Sequence, residues 1–138
     1  MDKVIKRLIT FFVVQMLVLL PLVAQTVPPG LVKALEKGDA AGMAVYFHQS
    51  LEITILDKDY ETSKNQATRI MESFFKEHKP TGFNISFEGT KDQSKYAIGT
   101  LTTSGDSFRV NLFFMNMDNK RLLYYVSIEK ESQYALSP

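Results

Sequence analysis

Apolar and polar residues alternate along most of the second half of the chain. An alternation with a period of two places successive side chains on opposite faces of a β-strand, so each alternating run predicts a strand. The runs cover residues 83–89, 95–103, 107–116 and 122–131, with short polar segments between them. Because short connections join neighbouring strands that run in opposite directions, we expect antiparallel hairpins.

The segment before these strands has the period of an amphipathic helix. Apolar residues recur there at intervals of three and four from Ala67 to Phe75. Ser63 and Gln66 have the spacing of a capping box, in which each side chain bonds the backbone N–H of the other residue, so the helix should begin at Ser63. Pro80 cannot continue a helix, and the helix should therefore end just before it.

Two shorter helices and one further strand are predicted before this long helix. The first helix should end at Gly38, and Asp39 is placed to cap a second helix, which we expect to continue to Phe47. Residues 51–56 alternate again and predict a strand, followed by a polar turn at 57–59. The chain thus predicts an α+β fold, in which N-terminal helices and a long helix pack on an antiparallel sheet.

Residues 1–24 are typical of a secretory signal peptide. Lys3, Lys6 and Arg7 form a basic start, the sixteen residues 8–23 are mostly apolar, and Ala24 is a small residue at the expected cleavage site. The alternative is an uncleaved membrane anchor, but this apolar run is shorter than the roughly 20 residues that cross a bilayer as a helix. We therefore expect cleavage after Ala24, export, and a single α+β domain at 25–138.

The charge and the cysteine content exclude several classes of function. The 138 residues include 16 Lys and Arg and 15 Asp and Glu, for a net charge of +1, so no basic surplus favours nucleic-acid binding. The chain has no cysteine, which excludes disulfides, thiolate catalysis and cysteine-bound zinc. Small secreted eukaryotic domains usually contain disulfides. We therefore expect a periplasmic or extracellular protein of a Gram-negative bacterium, with no membrane contact after cleavage.

The expected strand register sorts the side chains into two apolar faces. We expect Leu101 opposite Val110 and Val110 opposite Ile128, which makes one face a core. The same register places an apolar patch on the other face, formed by Tyr96, Ile98, Phe113, Met115, Leu123 and Tyr125. Monomeric proteins rarely leave such patches uncovered. The patch therefore predicts a cover: a second copy in a homodimer, a small apolar ligand, or a helix of the same chain.

The order of the predicted elements resembles the cystatin-like α+β roll of the nuclear-transport-factor-two-like superfamily. The segments that carry a closer likeness are Leu35-Glu36-Lys37-Gly38-Asp39-Ala40 before Tyr46-Phe47, the segment from Tyr60 to Ala67, Phe74-Phe75-Lys76, Phe83-Asn84-Ile85, Tyr96-Ala97-Ile98-Gly99-Thr100-Leu101 and Phe108-Arg109-Val110. In these segments the chain resembles a family of secreted bacterial proteins, the domain of unknown function 4783. The resemblance implies a strongly bent antiparallel sheet wrapped on helices, with a cone-shaped cavity. It implies no activity.

Candidate catalytic and metal-binding residues are few. His48 and His78 are the only histidines, each at the end of a predicted helix, and no third ligand stands at a metal-binding spacing. The sequence also has no glycine-rich phosphate loop and no nucleophile elbow. We therefore predict no catalytic residue, no metal and no cofactor.

A catalytic pair in the cone is the main alternative that the resemblance suggests. Enzymes of this superfamily place a tyrosine and a carboxylate there, and one polarises an oxygen while the other transfers a proton. The candidates for such a pair are Tyr46, Tyr60 and Tyr124 with Asp39, Asp57 or Asp59. Each carboxylate also has a structural explanation, because Asp39 suits a helix cap and Asp57 and Asp59 suit a turn.

These patterns favour an exported, non-catalytic binding or interaction domain that uses either the cone or the outer apolar patch. One alternative is a small proton-transfer or hydrolytic enzyme, which requires a Tyr and an Asp within hydrogen-bond reach in the cone. The other is a structural protein that pairs through an edge strand, which requires an unprotected sheet edge.

Overall fold

The computed structural model describes residues 2–18 and 26–131. Its elements, in chain order, are α1 (Asp2–Val18), α2 (Pro29–Lys37), α3 (Ala40–Ala44), β1 (Phe47–Ile55), β2 (Lys58–Ser63), α4 (Lys64–Glu77), β3 (Pro80–Lys91), β4 (Ser94–Thr103), β5 (Ser107–Met117) and β6 (Lys120–Lys130). The expected cleavage site after Ala24 lies outside the described residues.

Six strands form one curved, open sheet in the order β2-β1-β6-β5-β4-β3. The predicted α+β class is confirmed, with one correction to the sheet. β1 and β6 run parallel, whereas every other neighbouring pair is antiparallel. The parallel pair arises because β6, the last strand of a four-strand meander, returns beside β1, which the chain left before α4.

The edge strand β2 was not predicted, and β1 begins earlier than the sequence indicated. In β2 only Thr62 is buried, so this charged strand has no apolar face from which a period of two could be detected. The second helix was expected to continue to Phe47 but ends at Ala44. Phe47 instead pairs with Leu123 of β6, and its ring is buried.

The caps of the helices follow from side chains that the sequence identified. Gly38 ends α2 with a left-handed backbone, at φ 68°. The Asp39 carboxylate accepts a hydrogen bond from the Gly42 N–H at 3.0 Å and so begins α3. At α4 both bonds of the capping box form: the Gln66 N–H donates to Ser63 Oγ, and the Ser63 N–H donates to Gln66 Oε1.

The core lies between the helices and one face of the sheet, here called the inner face. It joins buried residues of α2, α3 and α4 to alternate residues of the strands in one apolar cluster. Phe47, Phe74 and Phe75, with Phe108 and Phe114, are all at most 6% exposed. The Phe74 and Phe108 rings meet edge to face with centroids 5.3 Å apart. Phenylalanine rings therefore occupy much of the space between helices and sheet.

The strand register is partly as predicted. From Arg109–Glu129 to Phe113–Tyr125, β5 and β6 pair as expected, but a bulge then shifts the register so that Phe114 pairs with Leu123. Between β4 and β5 the prediction was wrong by two residues, since Leu101 pairs with Phe108 and not with Val110. The turn is closed by the Thr103 N–H, which donates to the Asp106 carbonyl at 2.9 Å. A shift of two residues keeps every side chain on its face, whereas a shift of one exchanges the faces.

Candidate interaction surface on the outer sheet face

The face of the sheet opposite the core, here called the outer face, contains an apolar groove of about 530 Å³. Its lining comes from the middle of β4, β5 and β6, and its residues are Tyr96, Ile98, Asn111, Phe113, Tyr124 and Tyr125. We call it the aromatic groove. All six side chains are partly exposed, in contrast to the buried neighbours on the inner face.

A continuous row of aromatic rings crosses four strands at this groove. The Tyr96 and Phe113 rings stack at a centroid distance of 5.5 Å, and the Phe113 and Tyr125 rings meet edge to face at 5.5 Å. On the far side, Phe87 of β3 lies 5.8 Å from Tyr96. Cross-strand pairing produces this row, because these residues occupy neighbouring positions on one face.

The structure brings together four of the six residues predicted for the outer patch. Tyr96, Ile98, Phe113 and Tyr125 line the groove. Met115 is on the same face, paired with Leu122, but does not line it.

The placement of Leu123 on the outer face was wrong, because this residue is fully buried in the core. The β6 bulge causes the error: beyond Tyr125 the pairing shifts by one residue, which turns Leu123 inward and brings Tyr124 to the groove. The sequence does contain a signal for this bulge. Leu122-Leu123-Tyr124-Tyr125-Val126 is a run of five apolar or aromatic residues in which the alternation is lost.

A chain of hydroxyl groups extends from the aromatic groove towards β2. The Thr54 hydroxyl donates to Asp59 Oδ1 at 2.7 Å and lies 3.3 Å from the Tyr125 hydroxyl. Since Thr54 has one hydroxyl proton and donates it to Asp59, the Tyr125 hydroxyl must donate to Thr54.

The polar end of the outer face contains a buried carboxyl group. Glu129 is 7% exposed and pairs across the sheet with Arg109. Its Oε1 accepts from the Asp57 N–H at 3.4 Å, whereas its Oε2 has no hydrogen bond within the described chain. Burial raises the pKa of Glu129, and the nearby Asp57 and Asp59 charges raise it further, against the opposing effect of the Asp57 N–H.

The tyrosine and aspartate candidates for a catalytic pair are not joined in the structure. Asp39 caps α3, Asp59 accepts from Thr54, and Asp57 lies in the β1–β2 turn. Tyr124 donates to Ser94 Oγ at 3.3 Å. Tyr46 packs against the core, and Tyr60 is 38% exposed. Within residues 26–131 no hydrogen bond connects these tyrosines to these aspartates.

Neither histidine lines the aromatic groove. His48 is in β1, not at a helix end, and its Nδ1 lies 2.9 Å from the Ser50 carbonyl oxygen. His78 caps the C-terminus of α4, as expected. Over the described parts of the chain, no three His, Cys, Asp or Glu side chains form a group that could hold a metal ion. None of the helices within 2–18 and 26–131 has the length and apolar character to span a bilayer.

Comparison with solved structures defines the class of this fold. A nuclear-transport-factor-two-like (NTF2-like) protein of unknown function from Silicibacter pomeroyi superposes with a TM-score of 0.56 at 13% identity. The match covers 74% of this chain and 87% of that protein. The six-stranded curved sheet with its helices on one face is therefore an NTF2-like α+β fold.

Two solved proteins show closer similarity and define the family. The DUF4783 protein from Bacteroides ovatus is 31% identical, with a TM-score of 0.73, over 78% of this chain and 97% of its own. The DUF4783 protein from Bacteroides fragilis is 34% identical, with a TM-score of 0.72, over 75% and 98%. The family model "Domain of unknown function (DUF4783)" matches residues 29–129, so the chain belongs to the DUF4783 family. None of the curated proteins matches it.

Proposed function

We propose that this chain is an exported, non-catalytic interaction domain that associates with a second copy of itself through the outer sheet face. The aromatic groove is the observation that carries the proposal. Aromatic rings from four strands contact one another and form a partly exposed apolar surface that a folded monomer rarely leaves in water. The sequence predicts that this face is covered, with a second copy as one of three possible covers, and the predicted signal peptide supports export.

The size of the outer face suits a stable dimer. Strands of about ten residues at ~3.3 Å per residue are about 33 Å long, and six strands at a spacing of ~4.8 Å are about 29 Å wide. The face thus measures roughly 960 Å², and a standard protein interface buries about 800 Å² on each partner. Its aromatic centre with charged residues around it also has the usual composition of an interface.

The described helices leave the outer face open. The buried residues of α2, α3 and α4 belong to the core on the inner face. The described side chains of α1, residues 2–14, are all exposed, so this part of α1 covers no part of the sheet. A partner is therefore the cover that fits best. A small ligand fits less well, because the apolar surface continues beyond the groove to Phe87, which is 52% exposed.

The sheet edges offer little support for a structural protein that pairs through an edge strand. β2 has only six residues, among them Lys58, Asp59 and Glu61. At the opposite edge, the pairing of β3 with β4 is interrupted at two places, between Pro80 and Gly82 and between Ile85 and Phe87. Short charged strands and bulges are the devices that keep sheet edges from pairing with other chains.

The test is the oligomeric state of the purified protein, measured by sedimentation equilibrium and light scattering. We expect the wild type to be a dimer and the substitution Phe87→Asp to weaken the dimer at least about tenfold, since the charge would enter an apolar interface. Phe87 is already half-exposed, so the monomer should still fold. Val45→Asp is the matched control, because Val45 is 68% exposed and lies outside the sheet. It should leave the dimer unchanged.

Two outcomes would contradict the proposal. One is a wild type that stays monomeric at several hundred micromolar, and the other is an equal effect of both substitutions. Protein recovered from the periplasm of a Gram-negative host provides the check on export, since its mass should correspond to residues 25–138.

A further inference from the structure

A second groove lies on the helix side of the sheet, between α4 and the β1–β2 hairpin. Its volume is about 360 Å³, which is at the small end of the range of roughly 300–1,000 Å³ for ligand pockets. One wall is apolar and consists of Ile55, Leu56, Ile70 and Phe74. The polar lining consists of Lys58, Tyr60, Ser73, Glu77 and His78. We call it the hairpin groove.

The imidazole of His78 is held in place by its neighbours. Its ring centroid is 4.9 Å from that of Phe74 and 5.0 Å from that of Phe108, and its backbone N–H donates to the Phe74 carbonyl at 2.8 Å. Its ring nitrogens make no hydrogen bond to any residue in the described ranges. The ring nitrogens of His78 are therefore available to a ligand in the groove.

The other polar side chains of the groove are equally available. Lys58, Tyr60, Ser73 and Glu77 make no side-chain hydrogen bond or ion pair within residues 26–131. Lys58 lies on the hairpin side and Glu77 on the α4 side, so the two walls carry opposite charges.

The turn of the hairpin has a backbone conformation that is costly for its residues. Leu56 and Asp57 both have positive φ, at 49° and 70°. A tight two-residue hairpin requires positive φ at both of its central residues, so the turn itself sets this conformation, although leucine rarely occupies it. The Leu56 N–H donates to the Ile128 carbonyl at 3.0 Å, which fixes the turn and keeps Leu56 in the wall of the groove.

We propose that the hairpin groove binds a free apolar α-amino acid. The ligand carboxylate faces Lys58, its ammonium faces Glu77, and its side chain packs on the apolar wall. A ligand with a single charge would leave the opposite charge of the groove without a partner, whereas a zwitterion satisfies both. This site is independent of the outer face and of the dimer proposed above.

Phenylalanine is the probe that tests the ligand class, with binding measured by calorimetry and by NMR shifts of the groove residues. N-acetylphenylalanine lacks the ammonium, and phenylalaninamide lacks the carboxylate. We expect each blocked compound to bind at least about fivefold more weakly than phenylalanine, because each loses one charge-assisted contact. Equal binding of the three compounds would overturn the proposal, as would no binding of phenylalanine at ten millimolar.

Substitutions then assign the contacts. Lys58→Gln should weaken the binding of phenylalanine at least about fivefold and leave the binding of phenylalaninamide unchanged. Glu77→Gln should weaken the binding of phenylalanine at least about fivefold and leave the binding of N-acetylphenylalanine unchanged. His78→Phe keeps a ring against Phe74 and Phe108 and removes the nitrogens, and we expect it to weaken all three compounds.

The matched controls are Lys33→Gln and Glu36→Gln, two exposed residues of α2 outside the groove. Equal losses in the controls and in the groove variants would contradict the assignment. The oligomeric state of each variant separates this test from that of the outer face, since none of these residues lies there.

Discussion

The inner and outer faces of the sheet differ in cover as well as in composition. Along β5, the inner residues Val110, Leu112 and Phe114 are at most 1% exposed, whereas the alternate residues on the outer face are all partly exposed. Both faces nevertheless carry large apolar side chains. The inner face is covered by three helices of the same chain, and the outer face is left open by them. The comparison teaches that an apolar face does not become a core until something covers it.

The largest expected effect on stability comes from replacing one phenylalanine on each face with alanine. Phe108 is fully buried, and we expect Phe108→Ala to lower the free energy of unfolding by about 3–5 kcal/mol, because it leaves a cavity. Phe113 is partly exposed, and its substitution removes only contacts with neighbouring rings. Phe113→Ala should therefore lower the free energy of unfolding of the monomer by about 1 kcal/mol. Guanidinium denaturation measures both. Equal costs in dilute, monomeric samples would mean that the two faces are covered alike.

A methyl group added to a glycine tests how tightly the inner face is closed. At Gly99 a Cβ would lie 2.6 Å from the Phe83 ring and 2.7 Å from the Asn84 carbonyl oxygen. We therefore expect Gly99→Ala to cost about 1–3 kcal/mol, since the backbone oxygen cannot move away freely. Gly105 has open space around it, and Gly105→Ala should be close to neutral in thermal unfolding. A neutral Gly99→Ala would show that the inner face is loosely packed.

The smallest effect concerns the buried carboxyl of the outer face and should appear only through pH. The pKa of Glu129 in the fold is above its ordinary value of 4.5, so the folded state holds this proton more tightly than the unfolded state. The stability that the raised pKa of Glu129 contributes is present below pH 4.5 and is lost as the pH rises through the pKa of Glu129 in the folded state.

Glu129→Gln should therefore raise the melting temperature at pH 7 and lose this advantage near pH 4. The groups that face Glu129 are Arg109 across the strand and Asp57 and Asp59 beside the hairpin. Glu52→Gln is the control, because Glu52 is an exposed carboxylate of the same sheet. A pH-independent gain would mean that burial of the charge is not the cause.

The sequence was sufficient to predict the elements that have a clear local pattern of caps or of apolar and polar side chains. The cap of α4, the end of α2 at Gly38 and the meander β3–β6 follow from local patterns. β2 was missed because an exposed edge strand can be polar throughout. The parallel pairing of β1 with β6 depends on residues about seventy positions apart, which no local pattern contains.

The candidate site was predictable in its face but not in every residue. Alternation alone placed Tyr96, Ile98, Phe113 and Tyr125 together, since a register error of two residues leaves each side chain on its face of the sheet. The prediction for Leu123 was wrong because one extra residue in β6 exchanges the faces of the residues that precede it in the strand. The hydrogen-bonded chain Tyr125–Thr54–Asp59 and the hairpin groove could be found only in the structure, because they join elements that are distant in sequence.

The bulge in β6 has a consequence for the relatives of this protein. Two adjacent tyrosines contribute to one surface, which a regularly paired strand would not permit. A relative with one residue fewer at this point, and hence no bulge, would keep the backbone architecture and Tyr125 on this surface but would lose the second tyrosine. Binding preferences within the family should therefore follow the length of this strand more closely than overall sequence identity.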